Sequence, residues 1–371
     1  MRKQGTHRGP HRKLTRRSGR LRLFGGVLLM CSALVPSGTA QTTGASSAAL
    51  SAEQTDLQKG IDLTRQAHFE EAIPLLQTAR RAAPRSYAAG FNLALCYLGT
   101  GKFRAAISSL NALQSEGYNT ASVNNLLAQA YIGDGQPEAA FKALEAASQQ
   151  TPTDEKLYAF VADACTDHYA YSLGLRVVDL GLQHLPDSAR LHYERAVFLA
   201  RLDRLDEARP EFALAGKLAP ATDIAYLSLV QERLYEDRLQ DALAVAREAI
   251  KSGHQDYRML SLLGTVLMHA GAIPGQLQFM EARSALEASV AAQPRFSTSQ
   301  IALGKLYLAE GRVKDAVLHL EIGRSLEPQN PSVYTSLVRA YRQSGDNAKA
   351  REATATLSRL LAEKTSKADS P

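Results

Sequence analysis

The chain has 371 residues, 45% of them apolar and 22% charged, which are globular proportions that exclude wholesale disorder and a polytopic membrane protein. Its 43 Lys and Arg against 37 Asp and Glu give a net charge of +6, but nine of these cations lie within the first 22 residues, and the first acid is Glu53. Beyond residue 40 the balance is 34 cations against 37 acids, a net of −3, so the body offers no electrostatic footprint for DNA or RNA.

The first element in chain order is a leader. Residues 1–22 are basic, Leu23 to Val35 are almost wholly apolar, and Pro36-Ser37-Gly38-Thr39-Ala40 supplies small residues before Gln41. That order predicts a bacterial-type secretory signal over 1–40, cleaved near Ala40, and hence a periplasmic or secreted protein. The apolar run is about 13 residues, short of the ~20 that a membrane-spanning helix needs. Lipid attachment at Cys31 is the alternative, because Leu28-Leu29-Met30-Cys31 resembles a bacterial lipobox, although Met30 stands where that pattern wants a small residue. Thr15-Arg16-Arg17-Ser18 lacks the apolar residue expected soon after a twin-arginine pair. Residues 41–52, rich in Gln, Thr, Ser and Ala, read as a flexible linker.

A repeat follows. Pro84, Pro152, Pro186, Pro220, Pro294 and Pro328 are separated by 68, 34, 34, 74 and 34 residues, all multiples of 34 except 74, which exceeds 68 by six. Gly101 and Gly135, and later Gly311 and Gly345, keep the same interval. The spacing predicts one array over 53–364, with units starting at 53, 87, 121, 155, 189, 223, 257, 297 and 331 and a short disordered tail over 365–371. The unit at 257 carries a six-residue insertion around Ala272, Ile273, Pro274, Gly275, Gln276 and Leu277. Within a unit the pattern is helix, turn, helix: Leu127, Ala128 and Tyr131 share one helical face, Gly135 follows, and Ala140, Leu144 and Ala147 form a second face before Pro152 stops the chain. Each pair leaves apolar flanks that only its neighbours can cover. Cys96 and Cys165 fall on apolar faces two repeats apart, which predicts two buried free thiols.

The chain resembles the tetratricopeptide repeat proteins. Their first block appears as Leu93-Ala94-x2-Tyr97, Leu127-Ala128-x2-Tyr131, Leu263-Gly264-x2-Leu267, Leu303-Gly304-x2-Tyr307 and Leu337-Val338-x2-Tyr341. Their second block appears as Ala72-x3-Leu76, Ala106-x3-Leu110, Ala140-x3-Leu144, Ala208-x3-Phe212, Ala282-x3-Leu286 and Ala316-x3-Leu320. Gly174, Arg195 and Arg233 depart from the pattern, and no unit has the family's Trp. The resemblance implies an all-α fold, an α-solenoid wound as a right-handed superhelix of about nine helix-turn-helix repeats, with first helices lining a concave groove.

That implied groove would bind a protein or peptide partner, as a scaffold or adaptor, through Asn92, Asn125, Gln129, Asp163, Asp167, Lys305, Arg339 and Arg342. Leu57, Ile61, Ser122 and Leu126 do not match the carboxylate clamp of the chaperone-binding members. No enzyme, cofactor or metal is expected. Gly99-Thr100-Gly101-Lys102 lacks the Ser or Thr of a phosphate loop, and the histidines show no His-Glu-x-x-His spacing. Asp163 and Asp167 share a helical face as metal ligands could, but Cys165 between them takes a core position. Two other readings are an envelope assembly factor tethered at the membrane, similar to lipoprotein members of the family, and a carbohydrate-binding protein or enzyme with an unrecognised site.

Overall fold

The computed structural model describes residues 46–368, with side chains described over 55–363. The expected leader, with the cleavage expected near Ala40 and the alternative lipid attachment at Cys31, lies outside the described residues. Within them the chain forms eighteen helices arranged as consecutive antiparallel pairs. The first helices of the pairs are α1 (Ser46–Arg65), α3 (Tyr87–Gly99), α5 (Ala121–Gly133), α7 (Glu155–Asp167), α9 (Ala189–Arg201), α11 (Asp223–Tyr235), α13 (Tyr257–His269), α15 (Ser297–Ala309) and α17 (Pro331–Ser344). The second helices are α2 (Phe69–Ala82), α4 (Phe103–Ser115), α6 (Pro137–Ser148), α8 (Tyr171–His184), α10 (Leu205–Leu218), α12 (Leu239–Lys251), α14 (Leu277–Ala292), α16 (Val313–Leu326) and α18 (Asn347–Ala368). At its two ends the array takes in residues that sequence reading left irregular: α1 begins inside the 41–52 segment and α18 runs into the 365–371 tail.

The two helices of a pair begin differently. Ser86, Thr120, Asp154, Ser188, Thr222, Asp256 and Asn330 each accept a hydrogen bond from a backbone N–H in the first turn of the following first helix, satisfying a donor that would otherwise be orphaned. The second helices start directly from a tight turn. In that turn one residue adopts a left-handed conformation and the next donates its N–H back five residues, as Lys102 does to the Tyr97 carbonyl at 2.8 Å. Gly101, Gly135, Gly271, Gly311 and Gly345 supply the positive φ in five pairs, whereas Ala67, Tyr169, Asp203 and Asp237 adopt it in the other four. The turn geometry is therefore constant even where the glycine beat fails.

Small residues set the spacing of the stack. Ala72, Ala106, Ala140, Ala208, Ala242, Ala282 and Ala316 are fully buried at one position of the second helices. Gly174 departs from that series for a steric reason: a Cβ there would meet the Phe198 ring at 2.4 Å. Arg195, which replaces an expected leucine, is held by Asp179 and Glu211 at 2.7 and 2.6 Å. One apolar core runs from Ala94 to Leu360, and a smaller cluster around Ile73, Leu76 and Cys96 closes the N-terminal end.

The insertion lies one residue later than the sequence count placed it. Ala272 is buried and donates to the Leu267 carbonyl, which is the turn contact that Lys102 makes to Tyr97. Residues 273–278 then form a continuous exposed run that ends in the first turn of α14.

Candidate functional site

The side of the stack that is concave follows from one pair of hydrogen bonds. Arg201, at the end of α9, donates through Nη2 to Thr298 Oγ1 at 2.8 Å and through Nη1 to Glu327 Oε1 at 3.4 Å. These residues belong to the fifth and eighth pairs, 97 and 126 positions apart. First helices separated by three pairs can meet only across an inner face, and that face is the candidate site.

Asn92, Asn125 and Gln129 are buried by bonds internal to the array. Asn92 donates to the Ala88 carbonyl of its own helix at 2.8 Å. Asn125 donates to the Leu157 carbonyl at 2.7 Å, and Gln129 donates to Asn125 Oδ1 at 2.7 Å. The pair thus braces α5 against α7, and only Gln129 Oε1 remains without a hydrogen-bond partner. A buried amide is held this way because leaving it unpaired costs more than its hydrogen bond contributes.

Asp163 and Asp167 lie on the inner wall one turn apart on α7. Their surfaces are open to water, but protein stands around them on several sides and displaces the bulk solvent that would stabilise their charge. Asp163 pairs with Arg190 at 3.0 Å, and desolvation raises its pKa against the pull of Arg190 and Arg258. Asp167 is pushed up to about 6, by desolvation first and by repulsion from Asp163 second, with Arg295 opposing. Glu194 beside them is buried and also raised by desolvation.

Lys305 is placed apart from these acids. It donates to Ser332 Oγ at 2.6 Å and lines a cleft of about 200 Å3 with Arg201, His269, Thr298 and Glu327. Desolvation lowers its pKa. Arg339 and Arg342 are exposed on α17 and form no ion pair among the described residues. The structure therefore brings Asn125 with Gln129 and Asp163 with Asp167, whereas Lys305, Arg339 and Arg342 share no hydrogen bond or ion pair with either group among the described residues.

Sequence reasoning missed Arg190, Glu194, Arg201 and Arg258. A signal for Arg201 was available, since it stands one 34-residue period after Asp167 and occupies the same place in its unit. Cys165 is fully buried in the core and its thiol is pushed up to about 12, while Cys96 sits 3.1 Å from Thr64 Oγ1 and is pushed up to about 11, both by burial. Both thiols are free. Among the described residues no group of three or more His, Cys, Asp or Glu is arranged to hold a metal ion, and no helix is long and apolar enough to cross a membrane.

Stacked helix pairs of one length, with a small residue at each crossing and a continuous core, define an α-solenoid. Two models of the tetratricopeptide repeat match residues 63–130 and residues 175–221, 227–280 and 275–331. The chain belongs to the tetratricopeptide repeat family, whose members are typically protein-interaction scaffolds and generally not enzymes. No curated protein matches it. It is similar in fold to yeast Tom70, at 14% identity and a TM-score of 0.55 over 80% of this chain. It spans 65% of the length of that Tom70 chain. A tetratricopeptide repeat protein from Parabacteroides merdae is similar over 69% of this chain and 98% of its own, at 16% identity and a TM-score of 0.50.

Proposed function

We propose that this chain is a non-enzymatic scaffold or adaptor that holds a segment of a partner protein along its inner face, in the periplasm or outside the cell after cleavage near Ala40. The observation that carries the reading is the state of charge along that face. In the middle, Asp163 is paired with Arg190 on the neighbouring first helix and Arg201 with Glu327 across the face, whereas Arg339 and Arg342 at the C-terminal end have no acid partner among the described residues. Those two cations, with Lys305 beside the cleft, suit an acidic segment, and a cationic rim of this kind accelerates encounter with such a segment and sets its direction. Asn125 and Gln129, which are committed to the brace between α5 and α7, support the groove from beneath.

A photoreactive side chain at Arg342 tests the site in the native host, compared with one at Lys142 or Lys314 on second helices. The proposal requires a cross-linked protein from the inner position that is absent from the outer ones. Equal cross-linking from all three would place the interaction elsewhere. Intact mass of the protein from the same cells tests export: a chain beginning at Gln41 is expected, and a mass retaining 1–40 or fitting a diacylated Cys31 contradicts the cleavage.

A further inference from the structure

Nearly every side-chain hydrogen bond in the array joins residues of one pair or of adjacent pairs, as a solenoid of nearest-neighbour contacts requires. Arg201 is different. Its two bonds, to Thr298 on α15 and to Glu327 at the end of α16, cross three pairs. Its guanidinium also lies 5.9 Å from the centre of the Tyr171 ring on α8. Glu327 is held ready on the far side, where Oε1 accepts from Ser297 Oγ at 2.5 Å and Oε2 accepts from Asn330 Nδ2 at 2.5 Å. Glu327 is nearly inaccessible to solvent while Arg201 keeps about a third of its side chain exposed, so the receiving side is built in and the donating side is the more accessible of the two.

The same two walls carry complementary charge elsewhere. Asp163 and Asp167 on α7 feel the guanidinium groups of Arg258 on α13 and Arg295 just before α15, respectively, across the inner face. A solenoid is a long spring with soft modes of opening and twist, and a few cross-groove bonds are enough to bias such a two-state element.

We propose that Arg201, through Thr298 and Glu327, straps the fifth pair to the eighth and holds the middle of the inner face shut, so that a partner segment enters the central groove only after the strap opens. The consequence for binding rests on the inner face being the docking surface. The strap itself does not, and its test uses the free protein, so failure of one reading leaves the other standing.

The test is a pulsed electron-spin distance measurement between labels on cysteines introduced at Lys217 on α10 and Lys314 on α16, both exposed and on the outer helices. Cys96 and Cys165 are buried and take no label. Arg201→Ala should shift the distribution to longer distances and broaden it, and Thr298→Val, which removes only the hydroxyl, should do so partially. Arg204→Ala, which removes an arginine bonded to Glu207 of its own helix, should leave the distribution unchanged. If Arg201→Ala does not fold, Thr298→Val and Arg201→Lys carry the test. An unchanged distribution in the strap variants, or the same shift in Arg204→Ala, would overturn the proposal.

Discussion

Gly174 on α8 and Phe198 on α9 occupy one another's space: the ring fills the volume that the alanine methyl takes in the other pairs, and a Cβ on Gly174 would lie 2.4 Å from its edge. Phe198 is fully buried. Gly174→Ala should therefore destabilise the array despite restoring the family residue and the better helix former, by ~1 to 3 kcal/mol for overpacking. Gly174→Ala combined with Phe198→Leu should recover part of that loss. Urea unfolding of the two variants checks this, and a stabilised Gly174→Ala would show that the ring moves freely.

Ala140 and Ala316 stand at the closest approach of their helix pairs with no accessible surface. Replacement of either by Leu should cost ~1 to 3 kcal/mol. Because a solenoid couples mainly neighbouring units, hydrogen exchange should rise first in the changed pair and the two beside it. An even rise along the array would contradict nearest-neighbour coupling.

Ala67 and Asp203 hold φ of 58° and 61° where five other turns use glycine. A left-handed conformation costs a residue with a Cβ roughly 1 to 2 kcal/mol. Part of that is offset by the greater freedom of glycine in the unfolded chain, so Ala67→Gly should stabilise the array by ~0.5 to 1 kcal/mol. Gly101→Ala, at φ 71°, should destabilise it by a similar amount. Thermal melting of the two variants should shift in opposite directions.

The insertion divides what could be read from sequence from what could not. Pro274 and Gly275 marked a turn, and the exposed run over 273–278 agrees with a projection from the stack. Deletion of 273–278 should leave the melting temperature nearly unchanged, since loop length enters stability only logarithmically. A loss of several kcal/mol would mean that the run packs into the array.

Much of the fold was legible because a 34-residue period writes each helix pair into the chain many times. The caps carry a local signal that the repeat reading did not use: Ser86, Thr120, Ser188 and Asp256 are polar residues just before an apolar face. What local pattern does not encode is curvature. Arg201 meets Thr298 only because small rotations between pairs accumulate over three units, and no motif in either segment announces the other. Buried polar residues were misread for a related reason. Asn125 and Gln129 have the composition of a solvated face, and only the position of the Leu157 carbonyl on the next first helix shows that they serve a brace. The left-handed Ala67 and Asp203 escaped because the backbone conformation is imposed by packing on both sides of the turn.

Asp167 gives the array a pH dependence. Its folded pKa of about 6 lies above the ordinary aspartate value near 3.9, so the folded protein holds this proton more tightly than the unfolded chain. Below about pH 4 both states are protonated and Asp167 has no effect; as pH rises to about 6 the unfolded chain ionises first and stability falls, and the penalty persists above that. Asp167→Asn should raise the melting temperature at pH 7.5, with the gain shrinking towards pH 4. A constant difference across the range would show that the carboxyl is fully solvated.

The central claim is that the inner face is the docking surface, and affinity measured on a captured partner tests it most directly. Arg339→Glu with Arg342→Glu on the inner face should be compared with Lys142→Glu and Lys314→Glu on the second helices, all at the same ionic strength. The account predicts a large loss of affinity, mostly through slower association, from the first pair and little from the second. Equal losses from both pairs, or a loss confined to Lys142 and Lys314, would contradict it.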